Sequence, residues 1–296
     1  MTDNSARIAL ALQYGARVAP NVIAQYLTGI STVSTPLFDH SQLHLGPKEL
    51  AAADRILQRC SAMGIEALSI TDSRYPKFLR DIPAAPPVLF VRGHLSVLEM
   101  LPGVAVVGSR SATTQGMEIA RRISAFLSKK GWPIVSGLAL GIDAAAHQGA
   151  LEAGGKTIAV LAHGLHRASP TQNKALAEKI LDSGGLWLSE HAPDVPAQKH
   201  FFVQRNRIQA GLSAGSIIVE GKAESGSMTQ AQYCLGQKRQ LFAILPPKGK
   251  SSLRLVSEGP EKLVKEHGAI AIRSLNDYEL VLSALAASRE ALLRDP

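Results

Sequence analysis

VAVVGSR, residues 104–110, decides the fold. It is a short apolar run that ends in glycine, a small polar residue and a cation. The pattern recurs down the chain as PIVSGLALGID (133–143), TIAVLAHG (157–164), LWLSE (186–190) and SIIVEGKAESGS (216–227). Continuous apolar runs of this length read as strands buried on both faces. From Gly103 to Leu245 they alternate with helix-length segments at roughly 25 to 30 residues per unit, the spacing of crossover-connected parallel strands. In an open parallel sheet such strand ends lie side by side, so the glycines, serines and charged residues of these turns line one crevice.

Upstream, apolar residues fall at helical spacing: Ile8, Leu10 and Leu12, then Val22, Ile23, Tyr26 and Leu27, then Leu50 to Leu57, punctuated by Pro20-Asn21 and Gly64. This predicts a small all-helical domain over residues 1–72. The stretch TDSRYPKFLRDIPAAPPVLFVRGH (71–94) follows; its prolines argue against helix and its VLFVRG tail reads as a strand. After Leu245 come a strand candidate at Ala269–Ile272 and a closing helix from about Asp277. The expected fold class is α/β: an extended Rossmann-like, doubly wound, mostly parallel sheet over residues 73–296, preceded by the helical domain.

A net charge of +8, with no block of like charges, makes a folded surface suited to a polyanion, nucleic acid above all. Two distant cysteines, Cys60 and Cys234, and nine histidines without metal spacing predict neither a disulfide scaffold nor a metal site. The opening MTDNSARIALALQYG is too short in its apolar run for a signal peptide or a membrane span, so a cytoplasmic protein with no membrane partner is expected.

At the first turn, Gly108 lets the chain leave the strand sharply, and the helix beginning near Gln115 points unpaired amides at the crevice; Ser109 and Arg110 complete an anion cradle. GxGxxG and GxxxxGK[ST] are absent, which disfavours ordinary NAD or ATP binding and predicts no cofactor. Ser136 and Gly137 end the next strand. Asp143 reads as a helix cap or loop orienter, with a hydrogen bond to His147 one turn on geometrically open. In KHFFVQRNRIQAGLS, Phe201, Arg205, Ile208 and Leu212 share one helical face. A buried Arg205 needs a partner, and Glu190 and Glu220 are the candidates. Arg205 is assigned to architecture at the crevice floor, and Arg207, about 200° round the helix, to phosphate contact together with Lys199. Phe201 and Phe202 are either core or a stacking platform for an unpaired base. Ser225, Gly226 and Ser227 at a further helix start form a second cradle. No catalytic constellation assembles from these residues, so a non-enzyme is expected.

Taken in order, RYPKFLRDIPAAPPVLFVRG, VAVVGSR, SGLALGIDAAAHQGALEAGGKTIAVLAHG, SE, FFVQRNRIQAGLS, SIIVEG and SGSMTQA resemble the DprA/Smf family of bacterial DNA-processing proteins over about 75 to 245. The resemblance implies a homodimer that binds and protects single-stranded DNA and helps load the RecA recombinase in natural transformation or recombination. It places DNA contacts on Arg110, Ser136, Gly137, Lys199, Phe201 and Phe202, with Asn206 inside the RNR motif. It also sets base stacking by the phenylalanines level with a core role. The chain departs from the family pattern at HRASP (166–170), at SGSMTQA and at ILPPKGK, and the winged helix that ends many members is not expected here.

The alternative is a nucleotide-binding sensor or a nucleoside monophosphate hydrolase of the related Rossmann-like superfamily. Its PGGxGTxxE motif would fall on SGSMTQAQ, where Gln232 takes the glutamate's place, and an amide cannot serve as the acid or base of hydrolysis. A protein-interaction module with a vestigial crevice is the third reading.

Overall fold

The computed structural model describes residues 4–29, 45–249 and 253–294. Helix α1 (Asn4–Leu10) runs into a π-helical turn (Ala11–Gly15), followed by α2 (Pro20–Thr28) and α3 (Pro47–Ala62). Prolines open α2 and α3, where a missing N–H costs nothing, and Glu49 accepts the Gly46 N–H at 3.1 Å. The helical periodicity predicted to about residue 70 stops at Ala62. Gly64, at φ +63°, turns the chain, and Ile65–Ser69 becomes strand β1. The expected boundary at residue 72 therefore falls beyond the first strand of the sheet.

Strand β1 pairs antiparallel with β2 (Val88–Gly93), and β2 pairs antiparallel with β6 (Leu186–Ser189). The rest of the sheet is parallel: β3 (Gly103–Val107), β4 (Ile134–Ser136), β5 (Thr157–Val160), β7 (Ser213–Ile218), β8 (Gln240–Ile244) and β9 (Ile270–Ile272), in the order β1-β2-β6-β5-β4-β3-β7-β8-β9. The chain steps outward from β3 to β6 and then returns to β7 on the other side of β3. This is the doubly wound arrangement, whose strand ends form the crevice.

Helices cover both faces. On one, α5 (Thr114–Lys129), α6 (Ile142–Glu152) and α11 (Tyr278–Leu293) bury Ile123, Leu127, Ala146 and Leu285 against Val104, Ile134 and Phe242. On the other, α4 (Lys77–Arg80) and α8 (Lys199–Gly211) pack Phe78, Leu79 and Ile208 on Val135, Ile158 and Leu188. Beside them α9 (Gly226–Gly236) and α10 (Glu258–His267) cover β7 and β8. The N-terminal helices do not close on a core of their own. With α7 (Lys174–Asp182) they pack Leu10, Leu12, Ile23 and Ala53 together with Phe90, Ala159 and Trp187 of the sheet. No helix among the described residues is long and apolar enough to cross a membrane.

Two contacts tie these N-terminal helices to the loop between β6 and α8. The Tyr14 hydroxyl accepts the Ala192 N–H at 2.9 Å, and Arg59 grips Asp194 through two hydrogen bonds of 2.7 and 3.1 Å.

The Asp143–His147 hydrogen bond left open by spacing does not form. Side chains in a helix lean toward its N-terminus, so Asp143, in the first turn of α6, reaches back to the loop and accepts the Gly137 N–H at 3.1 Å. His147 meets β5 instead, with Nδ1 2.7 Å from Thr157 Oγ1. Thr157 gives its only proton to Ile134 O at 2.8 Å, so Nδ1 of the His147 ring is the donor. Burial pushes its pKa from 6.5 down to about 3. The unfolded chain binds a proton there that the fold refuses, so stability is expected to fall as pH drops from about 6.5 toward about 3. A His147→Gln variant should show a shallower acid-side slope of denaturation midpoint against pH.

Candidate nucleic-acid interface

The crevice is built from turns that lock one another. A Cβ on Gly108 would lie 2.7 Å from Ile142 Cγ1 and 2.9 Å from Glu220 O, so only glycine fits between the start of α6 and the end of β7. Ser109 N donates to Glu220 O at 2.9 Å, and Ile142 N to Ser109 O at 3.2 Å. The fully buried Glu220 carboxylate accepts from Thr113 N (2.9 Å), Thr113 Oγ1 (2.8 Å) and Val256 N (3.0 Å). Glu220 is thus the brace of the Gly108–Thr113 turn rather than the partner of Arg205. Thr113 in turn caps α5 by accepting the Gly116 N–H at 2.9 Å.

On this turn Arg110 is exposed and carries no ion pair among the described residues; its guanidinium lies 4.9 Å from the centroid of the Phe202 ring. Phe202 and Phe201 sit half-buried in the first turn of α8, and Lys199 and His200 before them are exposed. The Phe201 ring packs against His191 and, edge to face, against His200, with centroids 4.0 and 4.4 Å away. Cation, aromatic faces and imidazoles thus share one edge.

The two arginines divide their work differently from the sequence assignment. Arg207, expected at a phosphate, is buried and held: Nη1 and Nη2 donate to the two Glu190 oxygens at 2.7 and 2.6 Å, and Nε donates to Ala84 O at 2.9 Å. A guanidinium with its fork committed to a carboxylate has no face to offer a phosphate. Arg205 does lie at the floor, as expected, but pairs with neither Glu190 nor Glu220. Its Nη1 donates to Val160 O, and the guanidinium packs flat against Gly137. Burial pushes its pKa down to about 10 against the opposing pull of Asp143.

Of the remaining residues, Ser136 is fully buried and spends its hydroxyl on Val106 O at 2.7 Å. Asn206 Nδ2 donates to Gly226 O at 3.3 Å, which ties α8 to α9. At the start of α9 the Ser225 and Ser227 hydroxyls bond each other at 2.7 Å and fold over Gly221, leaving Gly226 exposed. Sequence reasoning passed over the histidines as scattered. The structure sets His191 and His200 against Phe201, and the signal was their position just after β6 and at the start of α8.

A doubly wound sheet whose carboxyl edge carries a basic, aromatic-edged crevice defines an α/β protein of the Rossmann-like class, with a surface suited to a polyanion. The chain belongs to the DNA recombination-mediator protein A family, whose model matches residues 66–282. It is 38% identical over 223 residues to the DNA processing protein DprA of Bacillus subtilis, covering 75% of this chain and 73% of that one. It spans about half the length of the Smf proteins of Synechocystis and Escherichia coli, 53% and 51% respectively. The crystal structure of DprA from Streptococcus pneumoniae matches with a TM-score of 0.68 at 34% identity over 93% of this chain and 92% of that chain. DNA processing protein A from Helicobacter pylori, described for its single-stranded DNA binding mode, matches with a TM-score of 0.63 at 28% identity, covering 75% of this chain and 98% of its own.

Proposed function

We propose that this DNA-processing protein binds single-stranded DNA along the Arg110–Phe202 edge of the crevice. The observation that supports it is the pair itself: an exposed guanidinium stacked on a half-buried ring, with Lys199 at the start of the same helix. Arg110 and Lys199 neutralise backbone charge, the amides at the α9 start receive phosphates, and the rings of Phe201 and Phe202 take unpaired bases. Ser136, Gly137, Arg205, Asn206 and Arg207 act beneath this surface, holding its turns in place. The single-stranded DNA binding mode described for the Helicobacter relative agrees with this reading. Protection of the strand, its delivery to the RecA recombinase, and action as a cytoplasmic homodimer complete the proposal.

Arg110→Ala is expected to weaken binding of a single-stranded oligonucleotide about tenfold and to flatten the dependence of log K on log salt by roughly 0.7, the share of one phosphate contact. Its melting temperature should not move. Fluorescence anisotropy at several salt concentrations checks this. Binding that is unchanged in the variant, or indifferent to salt in the parent, would sink the proposal.

A further inference from the structure

Two exposed side chains at the mouth of the crevice have no part in the Arg110–Phe202 edge. Leu140, on the turn after β4, is 39% exposed. Arg167, on the loop after β5, is exposed and makes no ion pair among the described residues. It lies in HRASP (166–170), one of the stretches where the chain departs from the family pattern. The carboxylates of the neighbouring loop after β6 are already taken, Glu190 by Arg207 and Asp194 by Arg59. Arg167 therefore offers its fork to solvent, with no counter-charge from the protein.

The turns that carry these residues form one rim. Strands β7, β3, β4 and β5 are consecutive neighbours and run parallel, so their carboxyl ends stand in a row. Adjacent strands are about 4.8 Å apart, which sets the ends of β3 and β5 about 10 Å from each other. Ile142 N donates to Ser109 O at 3.2 Å, and a Cβ on Gly141 would meet Ser109 O and Arg110 O, so the Leu140 turn lies directly on the Arg110 turn. Asn173 Nδ2 donates to Leu138 O at 2.8 Å and fastens the Leu140 turn to the segment that follows Arg167. Burial first, and then the charges of His166, Arg167 and Arg205, hold the His163 imidazole below its usual range against its hydrogen bond to Gly164 O. The Arg167 guanidinium thus stands over the same end of β5 as the floor arginine. Along the rim the order is the α9 start, Arg110, Leu140 and Arg167. A leucine gains nothing from a phosphate but buries apolar area against a base, so an apolar side chain between two cations matches one strand laid lengthwise on the rim.

We propose that Arg167 is a further phosphate contact and Leu140 a further base contact, and that the strand crosses the ends of β7, β3, β4 and β5 in that order. This rests on the strand-binding reading and gives the bound strand its course.

The test is fluorescence anisotropy on the full chain with one oligonucleotide of about 12 nucleotides and an all-abasic strand of the same length, at several salt concentrations. Arg167→Gln should weaken binding about fivefold and flatten the dependence of log K on log salt by roughly 0.7, and the double variant with Arg110→Ala by roughly 1.4. Its melting temperature should match the parent's, because the side chain is exposed and unpaired. Leu140→Ser should weaken binding with the salt slope unchanged, and the abasic strand should erase its effect while keeping that of Arg167→Gln. Parental affinity and slope in Arg167→Gln, with Arg110→Ala impaired, overturn the course and leave strand binding standing. A Leu140→Ser variant that loses as much on the abasic strand overturns the base contact. Parental binding in Arg110→Ala overturns the strand-binding reading itself.

Discussion

Gly137→Ala is expected to cost the protein both stability and affinity for DNA. The added methyl would sit on the guanidinium of Arg205, closer than nonbonded atoms can approach, with Nη1, Nη2 and Cζ all in its way. The side chain cannot swing aside cheaply, because it is buried between α8 and the ends of β4 and β5 and is anchored on Val160 O. Overpacking in such a place costs about 1–3 kcal/mol, and moving a buried cation off its hydrogen bond to Val160 O places this case at the upper end. For a chain of 296 residues, with an unfolding entropy of about 2.1 cal/mol/K per residue, that is a fall of roughly 5 °C in melting temperature. The displaced guanidinium would also rise toward Arg110 and disturb the surface proposed to receive the strand. A calorimetric melt and an oligonucleotide titration check the two halves separately. A melting temperature within a degree of the parent would mean that the floor has room which the packing denies.

Arg207→Ala is expected to be the most destabilising of the charge removals. Arg207 and Glu190 have side chains 10% and 13% exposed and share two short hydrogen bonds. Truncating the arginine strands a carboxylate inside the protein and also releases Ala84 O, a loss of about 3–5 kcal/mol. Had Arg207 been a phosphate contact, the same change would have left stability untouched and lowered affinity alone. Urea denaturation next to DNA binding distinguishes the two roles. A double variant, Glu190→Leu with Arg207→Met, should recover most of the lost stability, since a buried ion pair exchanged for apolar groups of similar volume is close to neutral.

These two arginines mark where sequence reasoning stopped. The strands at 103–107, 134–136, 157–160, 186–189 and 213–218 were legible because a doubly buried strand is a continuous apolar run closed by a turn, and both signals are local. The start of α5 at Thr114 and the exposed Arg110 followed from the same local rules. Strand β1 was missed because a five-residue IEALS segment after a long helix continues an apolar pattern that only Gly64 interrupts. Periodicity placed Arg205 and Arg207 on different faces of α8 correctly. It could not say which of Glu190, Glu220 and Asp143 faced which, because those carboxylates arrive from other strands and their partners depend on helix tilt across the sheet. His191 and His200 escaped for a related reason: each is unremarkable alone, and they meet on Phe201 only once the loop after β6 folds against the start of α8.

The loop that feeds Lys199 and Phe201 into the crevice is held from outside the sheet, by Tyr14 on Ala192 and by Arg59 on Asp194. In terms of cooperative opening, the mouth of the crevice belongs to the same unit as the N-terminal helices rather than to the rigid strands beneath it. Loosening α3 would therefore reach the edge proposed to bind the strand as a loss of order, with every charge and ring of that edge still in place, and would lower affinity through the entropy of re-forming the loop.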